Sequence, residues 1–115
     1  MMPGLTAPEN PSPTPTFPPI DQRVESGIAL LNSRQAPADW LNRIAVDRLD
    51  ICRADNCVLG HVYGDFGVGM AALDLDARSV VARGFDTCDE AEIDLLNAEW
   101  RARLAVLRAA AKAVA

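Results

Sequence analysis

Lysine is nearly missing from this chain: ten of its eleven basic residues are arginine, and only Lys112 is lysine. Sixteen acids outnumber them, for a formal charge of −5. Nucleic-acid affinity rests on clustered Lys and Arg displacing counterions from phosphates, so this balance argues against a nucleic-acid partner. Half of the residues are apolar, yet no uninterrupted apolar run approaches the roughly 20 residues of a membrane-spanning helix. No membrane role is expected. Met1 to Phe17 contain neither Lys nor Arg nor a compact apolar stretch, so a secretory signal is not expected and the expected location is the cytoplasm. The three cysteines, Cys52, Cys57 and Cys88, are too few and odd in number for a disulfide scaffold, which makes reduced thiols the expectation. Histidine occurs once, as His61.

Proline, by contrast, is concentrated. Met1 to Pro19 holds seven of the eight prolines, among Ser, Thr and Ala. Such a stretch lacks backbone donors and core-forming side chains, and it predicts a disordered leader over residues 1–20. Residues 21–115 are then left for a single domain, enough for a small core.

Within that domain the patterning is helical. Asp21 is placed to cap a first helix carrying Val24, Ile28 and Leu31 and ending near Ser33, with Gly27 marking a close backbone approach or a weak helix. Pro37 suits the first turn of a brief second helix with Trp40, Leu41 and Ile44. Val46 to Ile51 alternates apolar and charged residues, but no second run offers a β partner, so an irregular connection is expected. Asn56 is the expected cap of a third helix ending at Gly64, and Asp65 opens a fourth burying Phe66, Met70 and Leu73. A fifth, Ala77 to Arg83, buries Val80 and Val81 and stops at Gly84. The last helix is the best specified. Thr87-Cys88-Asp89-Glu90 matches a capping box, and Ile93, Leu96, Trp100, Leu104 and Leu107 form one apolar stripe. Asp86 to Glu99 contains six acids and no base, and Arg101 to Lys112 four bases and no acid, the polarity that complements the helix dipole. Running to about residue 113, this helix spans nearly 40 Å at about 1.5 Å per residue. The expected fold is therefore all-α: a small bundle of short helices packed on one long C-terminal helix. Because that helix outreaches so small a domain, Leu104 and Leu107 become candidate protein-binding residues, towards a partner or a second copy.

Chemistry-bearing clusters are sparse. Cys52, Cys57, His61 and Cys88 have the right tally for tetrahedral zinc, but only one loosely spaced pair is present where structural zinc uses knuckles of two to four intervening residues. A Cys57–His61 nucleophilic pair would need an electropositive setting, and Asp55 and Asp65 work against it. Asp47, Asp50 and Asp55 do not follow a calcium loop, and Gly64 to Gly69 lacks the βαβ unit of a phosphate loop. Arg78, Ser79 and Arg83 suggest a DNA-reading helix, though two arginines amid many acids make a thin basic patch. No cofactor is expected.

Trp40, Leu49, the run Cys57-Val-Leu-Gly-His-Val-Tyr-Gly64, then Gly84-Phe85 and Trp100 together resemble a group of small uncharacterised proteins of actinobacteria and their phages. The resemblance spans about Arg23 to Arg103, with His61 where the group has Gln. The Arg-heavy composition fits such a source. The shared residues build cores and turns, so the resemblance implies a common framework and carries no catalytic residue. The leading expectation is a non-enzymatic protein-interaction module, a phage-derived modulator of a host protein, meeting a basic partner through its acidic surface or last helix. A small-ligand or zinc module around Cys57, His61 and Tyr63 is the alternative, and a DNA-binding regulator the third.

Overall fold

The structure, a computed structural model, describes residues 17–114. Residues 1–16 of the expected leader lie outside the described residues, but its last part belongs to the fold. Phe17 and Ile20 pack on the core, and α1 (Ile20–Leu31) begins one residue before Asp21. Its N-cap is Pro19, whose carbonyl accepts the Arg23 N–H at 3.0 Å.

Among the described residues the chain is all-α, with four short helices gathered on one long one and no strand. No helix is long and apolar enough to cross a membrane. α1 buries Val24, Ile28, Leu30 and Leu31. Gly27 marks a close approach: a Cβ there would stand 2.2 Å from the Arg83 carbonyl oxygen and 3.1 Å from the Trp100 ring. The helix tolerates glycine's cost of about 1 kcal/mol because α1 then sits directly on the residues behind it. The segment expected as a second helix is tighter and shorter, a 3₁₀ turn over Trp40–Arg43, followed after an extended Ile44 by another over Val46–Arg48. Trp40 Nε1 donates to Asn32 Oδ1 at 3.0 Å, fastening the first turn to the end of α1.

α2 (Val58–Tyr63) is capped by Cys57 and not by Asn56: the Cys57 sulfur accepts the Gly60 N–H at 3.3 Å. Asn56 is spent on the preceding turn, where its N–H bonds Arg53 and its carbonyl accepts from Asp50. α3 (Phe66–Ala72) starts at Asp65 as expected, with Leu73 buried at its end. α4 (Ala77–Ala82) opens with a capping box between Asp76 and Ser79 and buries Val80 and Val81. Gly64 and Gly84, placed as stops, follow α2 and α4 in left-handed conformation.

The capping box expected at Thr87 does not form. Thr87 Oγ1 accepts the Asp89 N–H and donates to Glu92, Asp89 caps a 3₁₀ turn over Glu90–Glu92, and α5 (Ile93–Val114) follows directly. Glu92, rather than Glu90, takes the Thr87 hydroxyl because it is held by Arg23. That arginine, 3 % exposed, meets both Glu92 carboxylate oxygens at 3.0 and 2.7 Å and donates through Nε to the Pro18 carbonyl. The start of α1 is thereby fixed to the start of α5.

Leu96, Trp100 and Leu104 of α5 are fully buried. Trp100 stacks on Phe85 with ring centroids 5.6 Å apart, and its indole N–H donates to the Gly84 carbonyl at 2.6 Å. The connection from Trp40 to Ile51 has no ladder to satisfy its backbone groups, and buried peptide groups need partners. Side chains of α5 supply them. Asn97 Oδ1 accepts the Ile51 N–H at 2.9 Å, Arg101 donates to the Leu49 carbonyl, and Arg108 donates to the carbonyls of Leu41 and Ile44.

Candidate functional site

The glycine-rich centre of the chain carries Cys57, His61 and Tyr63. Cys57 is buried as the cap of α2, and burial pushes its thiol above the ordinary value, so it stays protonated and is a poor nucleophile. His61, one turn on and half-buried, accepts the Ala45 N–H on Nδ1 at 3.4 Å, which places its proton on Nε2. Nε2 and the Tyr63 hydroxyl have no protein partner, and burial raises the Tyr63 phenol pKa. Cys52 and Cys88 are exposed. Cys88 borders the cleft over Arg23 and Glu92, whereas Cys52 and Cys57 border another with Phe66 and Asp86. The four-ligand set Cys52, Cys57, His61 and Cys88 does not assemble, because Cys57 is turned into the core to cap its helix. Among the described residues no three His, Cys, Asp or Glu side chains gather as metal ligands.

Burial also lowers the His61 pKa below its usual 6.5. Above that value folded and unfolded chains both hold a neutral ring, and the group contributes no pH dependence. As pH falls through 6.5 the unfolded chain takes up a proton that the folded chain refuses, so stability declines until the folded pKa is passed. Urea midpoints measured between about pH 7.5 and 5.5 should fall with acid. In His61→Gln that slope is expected to vanish, and its persistence would assign the effect elsewhere.

The residues of the DNA-reading alternative are engaged with the protein. Arg83 donates to the Ser26 carbonyl of α1 at 2.9 Å, Ser79 closes the α4 capping box, and Arg78 lies over the Phe17 ring at 5.6 Å. Only Arg78 of the three is exposed.

On α5 the expected docking residues require correction. Leu104 is 0 % exposed, covered by its own chain, and Leu107 is half-buried against the core. The Arg108 bonds to Leu41 and Ile44 hold this part of the helix against the domain, so the stripe is core farther along than the domain's size suggested. The outward face is the other side. Leu95 and Val106 are 59 % and 65 % exposed, and Ala91, Ala98, Ala102, Ala105, Ala109 and Ala113 are exposed with them. At about 100° per residue these positions share one face. No charged residue interrupts it for about six turns. Asp94, Arg101 and Lys112 run along one edge, and Glu99 and Arg103 along the other. Arg103 is paired with Glu25 and, at 3.7 Å, with Glu99. The signal for this face was present in the sequence: Leu95 and Val106 lie eleven residues apart, three helical turns, with alanines between.

No protein-family model matches the chain, and neither a curated protein nor a solved structure matches it significantly.

Proposed function

We propose that the chain is a non-enzymatic protein-interaction module whose docking surface is the outward face of α5. One observation carries this reading: two large apolar side chains stand more than half exposed on an otherwise alanine face with charge only along its edges. Uncharged strips rimmed by polar residues are the surfaces proteins cover with other proteins. Alanine lets a partner helix approach closely, and Leu95 and Val106 supply the projecting anchors. The free cysteines suit a reducing cytoplasm. The resemblance to actinobacterial and phage proteins makes a protein of the host the partner to seek.

Affinity capture from a host lysate, with Leu95→Glu/Val106→Glu as the comparison bait, tests the reading. Both positions are exposed, so the variant is expected to melt like the parent. At least one protein retained by the parent should be lost. Identical captures by the two baits, with self-association through this face unaffected as well, would overturn the proposal.

A further inference from the structure

We infer that the occupant of this face is a second copy of the chain, its α5 running antiparallel to the first. The inference rests on reading that face as a docking surface and adds what docks there. The uncharged face runs along α5 to Ala113, and Ala102 lies near its middle. A two-fold axis at Ala102 sets Leu95 of one copy opposite Ala109 of the other, and Val106 opposite Ala98. Each projecting side chain meets a small one, the complementarity an isologous interface requires of a single surface.

The charges select the direction. The acids of this helix, Asp94 and Glu99, precede all of its bases, which run from Arg101 to Lys112. Side by side in parallel, a two-fold pair sets each edge against the opposite edge of the partner, so Asp94 and Lys112 would meet no residue of opposite charge on α5. Antiparallel, Asp94 comes within two residues of the position opposite Lys112, along the same edge. Glu99 falls in the same relation to Arg103 on the other edge. Arg101 and Arg103, each one residue from the axis, would approach their own copies; Arg101 is drawn back onto the Leu49 carbonyl, and Arg103 is paired with Glu25 and Glu99.

The contact is narrow. A ridge about 33 Å long and about 10 Å wide buries on the order of 330 Å² per copy, under half of the roughly 800 Å² each partner contributes to a standard-size interface. The association is therefore reversible and concentration-dependent.

Sedimentation equilibrium of the full chain from about 10 µM to about 1 mM tests this, since weak contacts exchange in that range. The weight-average mass should rise towards that of a dimer. Ala102→Glu, an exposed position, should hold it at the monomer with unchanged helical circular dichroism. Asp94→Lys and Lys112→Glu should each weaken association, and the two combined in one chain should restore it, because only an antiparallel pair exchanges these positions between copies.

A mass that stays monomeric to 1 mM overturns the inference, as does association that Ala102→Glu leaves untouched. Failure of the combined variant to recover overturns the antiparallel arrangement. A monomeric chain that still loses a captured protein on Leu95→Glu/Val106→Glu overturns only the second copy as occupant. If it loses none, the docking surface fails as well.

Discussion

Trp100→Ala is expected to cost roughly 3–5 kcal/mol, the usual range for removing a fully buried large aromatic side chain. Three partners are lost together: the Phe85 ring stacked on it, the Gly84 carbonyl that accepts its N–H, and the glycine surface of α1 at Gly27. Thermal unfolding followed by circular dichroism measures the result. A domain of this size has about 5–15 kcal/mol in all, so the variant should melt tens of degrees lower or fail to fold at 37 °C. Trp100→Phe separates the contributions. It keeps much of the apolar volume but strands the Gly84 carbonyl, and should cost roughly 1–3 kcal/mol for that buried acceptor. A Trp100→Ala chain melting within a few degrees of the parent would refute the central place given to this residue.

Arg23→Ala should also be strongly destabilising, at about 3 kcal/mol. Breaking a buried ion pair costs about 3–5 kcal/mol, and the partial exposure of Glu92, 27 % for its side chain, places the loss at the lower end. The cause is the Glu92 carboxylate left without its bidentate partner, so Arg23→Met combined with Glu92→Met should be more stable than Arg23→Met alone. The acid limb gives a second readout. Hydrogen bonds from Arg23 and Thr87 hold the Glu92 carboxyl below its ordinary value of 4.5. A depressed folded pKa contributes stability that is complete above the unfolded value and is lost as pH falls through the folded one. Stability of the parent should therefore decline below about pH 4.5, and that part of the decline should shrink in Arg23→Ala. Equal acid slopes in the two chains would show that the pair does not couple to folding.

These residues differ in how plainly the sequence announces them. Trp100 stands at the centre of an apolar stripe of helical period, and helix stops such as Gly64 and Gly84 or caps such as Asp65 act within a few residues of themselves. Local rules reach them. Arg23 and Glu92 are 69 positions apart, and no periodicity distinguishes a charged residue that will be buried from one that will be solvated. The Cys57 cap was hidden for another reason: sulfur is a weak acceptor, and Asn56 beside it is the stronger cap by type, but the turn before α2 had already used the Asn56 backbone. The site shows the same division. The length, polarity and core-facing stripe of α5 were legible, whereas how far along that stripe the core reaches depends on where Trp40–Ile51 lies. That segment conceals Leu104 and leaves Leu95 and Val106 outside.

The tethering of that segment also bears on the order in which the molecule assembles. Ile51 finds its acceptor 46 residues away on Asn97, and Leu41 its donor 67 residues away on Arg108. A stretch whose peptide groups bond so far along the chain gains little from forming early, because closing the loop costs entropy before any bond compensates it. α5 can nucleate from its own turns. The middle segment must wait for the finished helix, so a chain emerging from the ribosome cannot complete this interior until residues as far as Arg108 are available.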